Sequence, residues 1–285
     1  CVSNIKIIED KKSSSIMRKN IFNIKNKNIV LTGSAGFLGS HYAEFLSSQG
    51  ANIILVDIDE KQNKKLEKSI KSKYGTKTRS YTCDLSNSKE IKSLKKSILK
   101  DFKTIDVLIN NAAYTTKSVT KKTKKTSFEK FSYETWQNSL SINLTAVFLF
   151  CQEFGQIMLK QKKGIIINIS SIYGIVGADQ RIYDQVDFNL PISYAATKGS
   201  IINLTKYLAA YWQKKNIRVN TLSLGGVKDP SYHKPNFVKK YSEKTMLGRM
   251  ADKSDFDGAL LFLISDASSY VTGTNLVVDG GWTAW

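Results

Sequence analysis

The chain is poor in the residues that would make it a secreted or scaffolded protein. Its three cysteines, Cys1, Cys83 and Cys151, are too scattered for a disulfide framework or a thiolate metal site, so no metal is expected and a reducing, cytoplasmic setting fits them. Three prolines in 285 residues leave no room for a Pro-rich linker. No apolar run approaches the ~20 residues of a membrane span. The opening stretch, CVSNIKIIEDKKSSSIMRKN, lacks the apolar centre of a secretory signal, and its Glu9 and Asp10 argue against a transit peptide. We place residues 1–26 outside the fold as a basic extension, with Met17 a candidate start, and expect one domain over 27–285.

Acidic residues are also scarce: 24 Asp and Glu stand against 43 Lys and Arg, a net charge of +19. Such an excess can mark a partner for nucleic acid or an anionic surface. Here the basic residues are mostly lysines, widely spread among abundant Asn and Ile, which reads as solvated faces. The local exception is TTKSVTKKTKKT, Thr115 to Thr126, with Lys117, Lys121, Lys122, Lys124 and Lys125. It has none of the aromatic interleaving that stacks on bases, so neither a specific nucleic-acid partner nor a membrane is expected.

What the chain does have is alternation. Short apolar runs at 28–32, 52–57, 79–83, 107–110, 164–170, 217–223 and 275–279 are separated by helical patterns. Most runs are apolar on both faces, as strands covered by helices on both sides must be. The order predicts an α/β fold: a single-domain, Rossmann-type doubly wound parallel sheet of about seven strands with helices on both faces. Ligands of such sheets sit at the carboxyl ends of the strands, so the residues following each strand carry the functional reading.

After the first strand comes TGSAGFLG, Thr32 to Gly39, running into a helix. Gly33, Gly36 and Gly39 allow a tight turn and close approach to a pyrophosphate, and the helix N-terminus supplies N–H groups. The second strand ends in Asp57, which can accept both ribose hydroxyls and would repel a 2′-phosphate. NAD is therefore expected over NADP. Asp84 follows the third strand, either as an acceptor for the adenine amino group or as a turn cap. NNAA, Asn110 to Ala113, follows the fourth, with small residues that leave room and amides that pin neighbouring strands. The fifth strand delivers Ser170 and Ser171 to the same rim. Asn143 lies within a long helical stretch, where an Asn is unfavourable unless it binds something. Tyr194 and Lys198, four residues apart in PISYAATKGSI, share a helix face. As a pair alone they are either a general acid/base or two polar residues on a wet face.

Taken together and in order, TGSAGFLG, NNAA, Asn143, NISS, YAATK and VTGTNLVVDGG resemble the short-chain dehydrogenase/reductase family over residues 28–285. The resemblance implies hydride exchange between a nicotinamide and a carbonyl or secondary alcohol. It implies that Tyr194 gives or takes the proton, Lys198 lowers the tyrosine's pKa and holds the nicotinamide ribose, Ser171 holds the substrate oxygen, and Asn143 anchors a relay water. It assigns cofactor binding to Gly33, Ala35, Gly36, Phe37, Leu38, Gly39, Asp57, Asp84, Leu85, Asn111, Ala112, Tyr194, Lys198 and Val227, and a homodimer or homotetramer as the assembly.

The sequence departs from the family pattern in places. The glycines are spaced as in the family's longer members, Leu224 stands where a proline is usual, and 23 residues separate Ser171 from Tyr194. The extra segment, near 175–192, is expected to form a lobe over the substrate mouth. That segment, with LGRMA and VVDGGWTAW, is similar to bacterial flagellin-modification dehydrogenases of nonulosonic-acid pathways, which implies a sugar or sugar-phosphate substrate in surface-glycan synthesis. The alternatives are a 3-oxoacyl-thioester reductase or small-alcohol dehydrogenase of the same fold, or a non-catalytic basic binding protein. The lysine-rich loop is expected to steer an anionic substrate or to be a solvated bystander. Phe148, Phe150, Tyr207, Tyr211, Trp212 and the GGWTAW ending are expected to face a partner subunit.

Overall fold

The computed structural model describes residues 20–115, 127–183 and 189–285. Seven strands form one parallel sheet in the order β3-β2-β1-β4-β5-β6-β7. They are β1 Asn28–Thr32, β2 Asn52–Asp57, β3 Thr78–Thr82, β4 Val107–Asn110, β5 Gly164–Ser171, β6 Ile217–Leu224 and β7 Asn275–Val278. Each sequence window finds its strand to within one residue at either end. The sheet is doubly wound: the order reverses beside β1, where Leu31 lies in register with Leu55 of β2 and Ile109 of β4. A crevice opens at the carboxyl ends of the strands there.

Side chains alternate between two cores, as strand periodicity requires. Ile29, Leu31, Ile53, Leu55 and Ile109 face one side. There they pack under α1 (Phe37–Ser48) and the Phe256–Ile264 segment. Val30, Ile54, Val56, Leu108 and Ile166 face the other. That side is covered by α3 (Ser88–Asp101) and by the second part of a long helical run. Helix α2 (Glu60–Tyr74) closes the first side, started by Asp59, whose carboxylate accepts from Gln62 N, and stopped by Gly75 at φ +65°. The long run is α4 (Tyr133–Leu140), a π turn (Ser141–Thr145) and α5 (Ala146–Gln161). Among the described residues it is the one helix apolar and long enough to cross a membrane, and 56% of that apolar window is buried in the protein. Its apolarity belongs to the core.

Three expectations change. Ile24 is buried and Asn26 N donates to Gly50 O at 2.8 Å, so the packed chain starts before residue 27. Phe150 and Trp212 do not face outward: they are 1% and 7% exposed, and Trp212 lies so close to Gly155 that a Cβ there would come within 2.6 Å of the indole. Phe148, Tyr207 and Tyr211 do lie outside, at 47%, 64% and 67%. The third change concerns the GGWTAW ending. Trp282 is buried, stacked on Tyr241 with ring centroids 4.3 Å apart, while Trp285 stays exposed.

Trp282 and Tyr241 belong to a third, smaller cluster with Ile172, Ile182, Tyr183, Phe237 and Met250. It joins the segment after β5 to α7 (Pro235–Ser242), a helix the sequence reading did not anticipate. The remaining helices are α6 (Ile192–Tyr211) and α8 (Asp257–Ile264). Within the extra segment, Gln180–Tyr183 forms a 3-10 turn that buries Ile182 and Tyr183; 184–188 lie outside the described residues. The same is true of 116–126, and with them of the lysine-rich loop.

Candidate active site

A cleft of about 840 Å³ runs along the carboxyl ends of the strands. At one end is the turn between β1 and α1. Gly33 has φ +66°, and a Cβ there would stand 2.7 Å from Ala112 Cα. At Gly39 the Cβ would fall 1.9 Å from Gly33 O. These two positions accept only glycine, because backbone meets backbone. The turn is held from several sides. Gly33 N donates to Val56 O at 2.8 Å, Ala35 N to Asp57 Oδ2 at 2.8 Å, and Ser34 Oγ to the buried Asn63 Oδ1 at 2.8 Å. Asn63 itself donates to Leu55 O and Tyr81 O. Asn111 is a strut: its amide donates to Thr32 O at 3.0 Å and Gly33 O at 3.3 Å, and Thr32 Oγ1 accepts from Asn111 N and Ala112 N. Asn110, one residue earlier, pins β4 to β5 through Asn168 Oδ1 at 2.8 Å.

This end fits a dinucleotide. Phe37 and Leu38 of the first α1 turn line the cleft together with Gly36, where helical N–H groups have no intrahelical acceptor. Asp57 lines it as well. One carboxylate oxygen accepts from Ala35 N and the other from Asp59 N at 3.0 Å; each keeps a further lone pair for a ribose hydroxyl. Asp84 Oδ1 caps the turn after β3, accepting from Ser86 N at 2.8 Å and Ser86 Oγ at 2.7 Å, and the residue lines the cleft beside Leu85. Of the two expected readings of Asp84, the turn cap is the one these bonds show. Among the described residues the charged groups lining the cleft are Asp57, Asp59, Asp84, Asp229 and a single cation, Lys198.

The middle of the cleft carries Ser171, Tyr194 and Lys198. Ser171 ends β5, and its Oγ accepts from Tyr173 N at 3.2 Å. Pro191 leads into α6, which brings Tyr194 and Lys198 to one face. The 3-10 turn after β5 packs so tightly on α6 that a Cβ at Gly174 would lie 2.6 Å from the Lys198 carbonyl carbon, and Ser170 Oγ donates to Lys198 O at 2.8 Å. Burial raises the Tyr194 phenol above its ordinary pKa, opposed by a hydrogen bond with Ser171. Burial also lowers the Lys198 ammonium, to about 8.

In the protein by itself, burial is the larger influence on the Tyr194 phenol. Lys198 Nζ donates to Ile169 O at 2.8 Å and sits 5.6 Å from the Tyr194 ring centroid, over its face. Its charge reaches the ring while desolvation dominates at the phenol. Asn143 lies deeper than the cleft wall. Its side chain is buried in the π turn, accepting from Tyr114 N at 2.6 Å and donating to Tyr114 O at 3.0 Å and Thr197 Oγ1 at 3.3 Å. It does not line the cleft; its neighbours Ile142 and Tyr114 do. The amide is committed to holding the stretch after β4 against α6.

Of the far end of the cleft, the sequence reading placed only the 175–192 segment, which contributes Tyr183 and Leu190. Tyr173, Tyr183, Leu190, Asp229, Tyr232, His233, Phe237, Tyr241 and Met250 line that end. Tyr173 and Tyr183 hydroxyls are 3.1 Å apart, and Tyr241 OH accepts from Gly226 N. The usable sequence signal was Phe237 and Tyr241 at helical spacing behind Pro235, a helix start with an aromatic face. Leu224, in place of the usual proline, lines the cleft, as does Val227, which bridges to Ala251.

A sheet of this winding, with its glycine turn opening toward a partly buried tyrosine beside a buried lysine, fits oxidoreductases that work on CH–OH and C=O groups. A family profile described as enoyl-(acyl carrier protein) reductase matches residues 33–283. Sorbose reductase of Candida albicans is 31% identical, over 92% of this chain and 89% of its own. A post-translational flagellin modification protein A of Campylobacter coli is 30% identical, over 91% and 99%. The crystal structure of a short-chain dehydrogenase from Leptospira borgpetersenii with bound NAD⁺ is 34% identical, covers 99% of both chains and superposes with a TM-score of 0.80. Other similar structures carry NADP. The chain is a member of the short-chain dehydrogenase/reductase family.

Proposed function

We propose that this chain is an NAD-dependent oxidoreductase that interconverts a secondary alcohol and a ketone on a sugar or sugar derivative used in surface-glycan synthesis. The observation that carries the chemistry is the convergence of Ser171, Tyr194 and Lys198 on one wall of the cleft that also contains the glycine turn and Asp57. NAD, when bound, supplies hydride exchange; the chain's own groups handle the proton and the oxygen. Tyr194 gives or takes the hydroxyl proton, and Ser171 holds the substrate oxygen beside it. Lys198 adds a positive charge in a dry site, where preorganised donors act most strongly on developing oxyanion charge. Asp57, Asp59 and Asp84 at one end favour a free ribose hydroxyl over a 2′-phosphate.

The surface-glycan setting rests on the flagellin-modification relative, and a cytoplasmic location on the scattered, unpaired spacing of the cysteines. We extend the proposal to a homodimer or homotetramer formed through the exposed faces of α5 and α6, where Tyr207 and Tyr211 stack at 6.0 Å. Light scattering that shows a monomer at micromolar concentration would remove that part. The activity is tested by following NAD⁺ reduction and NADH oxidation over a panel of secondary alcohols, polyols, sugar phosphates and the matching ketones. Turnover of a polyol or sugar that vanishes in Tyr194→Phe supports it. Inertness across the panel with either cofactor removes it.

A further inference from the structure

The loop that leaves β6, residues 224–227, forms a partition in the cleft wall. Leu224 lies in register with Ser171 of β5, so the loop begins beside the serine that holds the substrate oxygen, and all four of its residues line the cleft. Behind it a second hollow of about 170 Å³ is lined by Gly225 and Gly226 together with Thr245, Arg249, Val278 and Gly280. A partition with space on both faces cannot rest on packing alone. Its sequence does not stiffen it either: Leu-Gly-Gly-Val holds two glycines, which lose the most freedom on ordering, and no proline to fix a backbone angle.

Hydrogen bonds hold the loop instead. Gly225 N donates to Val278 O at 2.9 Å, Gly226 O accepts from Ala251 N at 3.0 Å, and Lys228 N donates to Ala251 O at 2.8 Å. The donor at the centre, Gly226 N, is met by a side chain: the hydroxyl oxygen of Tyr241 accepts from it. A Cβ at Gly226 would stand 2.5 Å from Tyr241 Cζ, so the missing side chain is what lets the phenol reach the backbone. Burial raises the Tyr241 phenol above its ordinary value, with Tyr173 and Tyr194 adding to the rise and the Gly226 bond opposing it. The oxygen therefore stays a neutral hydroxyl at working pH.

Tyr241 is itself supported from behind by the segment that follows β7. Trp282 stacks on it with centroids 4.3 Å apart and 27° between planes, and both rings are buried. Asp279 builds the turn that delivers the indole. Its carboxylate accepts from Gly281 N at 2.9 Å, Thr283 N at 2.8 Å and Thr283 Oγ1 at 2.7 Å. A line of support thus runs from Asp279 through Trp282 and Tyr241 to a single peptide N–H in the cleft wall.

We infer that Tyr241, backed by Trp282, is a positioning residue that holds the 224–227 loop in the shape that receives the nicotinamide end of the cofactor. The inference rests on the proposed use of NAD and goes beyond it, giving a residue outside the proton chemistry control over one end of the dinucleotide. The adenosine end, built on the glycine turn and Asp57, does not depend on it. Without the hydroxyl, Gly226 N loses its acceptor and the two glycines are released to rearrange.

The test separates the two ends by ligand. NADH and ADP-ribose share the adenosine, the pyrophosphate and the second ribose; only NADH carries the nicotinamide ring. Dissociation constants for both are measured by titration calorimetry in the parent, Y241F and W282L. Y241F removes one hydroxyl and keeps the ring against Trp282; NADH should bind roughly tenfold more weakly while ADP-ribose stays within about twofold of the parent. W282L leaves the hydroxyl and removes the ring behind it, and should move the ratio of the two constants the same way by roughly threefold. An unmoved ratio in Y241F, whether both affinities hold or both fall together, overturns the inference. Should Y241F fail to fold, W282L decides by the same criterion. A parent that binds neither ligand removes the NAD reading and this inference together, whereas a parent that binds both, with an unmoved ratio in the variants, leaves the NAD reading standing.

Discussion

The two ends of the cleft are made of different material. Around the glycine turn the surface is mostly backbone: Gly33 and Gly39 against peptide groups, Thr32 and Asn111 bracing the strand ends, and Asn63 tying the turn to β2 and β3. All of it comes from the β1–β4 half of the chain, with Asn111 reaching back to Thr32 across the β1–β4 pairing. Around His233 the surface is side chain: rings from the turn after β5, from α7 and from Trp282, brought together across the chain. A backbone site is specified by what each position excludes, and a ring-lined site by what neighbouring rings fill. The first admits one ligand shape. The second should change its preference with single substitutions while its frame stays in place.

That contrast can be broken in several ways. The largest effect is expected at the junction: Tyr194→Phe should lower kcat by about 10²–10⁴ while NADH, followed by fluorescence titration, still binds. A variant keeping a tenth of parent activity would remove the acid/base role. Next is Gly39→Ala, whose methyl group meets Gly33 O in the backbone. Overpacking of this kind costs about 1–3 kcal/mol and should appear as lost NADH affinity or a lowered melting temperature. Unchanged values of both would show that the turn yields.

Lys198 gives an effect of similar size with a definite pH signature. Its folded pKa of about 8 lies below the ordinary 10.5, so between these values the unfolded chain holds a proton that the folded chain has released. Stability should therefore rise with pH across that window, and the penalty is fully present below pH 8. It is on the order of 3 kcal/mol. Lys198→Met should flatten this slope in urea titrations at pH 7, 8 and 9, and an unchanged slope would contradict the shift. The smallest effect is at Asp57. NAD(H) should bind at least about tenfold more tightly than NADP(H), ~1.4 kcal/mol, and Asp57→Ala should narrow the gap. Equal affinities in the parent would remove the cofactor assignment.

Legibility followed the same division. Strands apolar on both faces announce themselves, and Gly33, Asp57, Ser171, Tyr194 and Lys198 stand where a strand or helix presents them, so position in the sequence implied position in the cleft. Asn143 was recognised as unusual, but its partners, Tyr114 and Thr197, are set by how α6 crosses the π turn. Trp212 looked like an outward residue because its apolar partner is an absence, the notch at Gly155 on another helix. The wall of Tyr173, Tyr183, Phe237 and Tyr241 left only scattered aromatics, and Ile24 stands with Ile21 and Phe22 in a short stretch of alternating Asn and Lys with no strand or helix period. In each case the missing information was a long-range pairing.

The π turn at Ser141–Thr145 gives the long helical run one residue more than a regular helix would hold. Each residue of an α-helix advances the face by about 100°, so this surplus sets α4 and α5 in different rotational phases. On the α4 side, Ser139 Oγ meets Ser193 Oγ at 2.8 Å. On the α5 side, Phe150 and Phe154 stack inside the core at 5.4 Å. A single-residue deletion within 141–145 would regularise the hydrogen bonds and force a choice between those two anchorages. Since the aromatic pair buries far more apolar surface than the serine pair, α4 should be the part to swing, carrying Ser139 off α6. An edit that improves the local helix would thus loosen the support beneath Tyr194, which makes this stretch a sensitive target for deletion scanning and a poor one for helix-stabilising redesign.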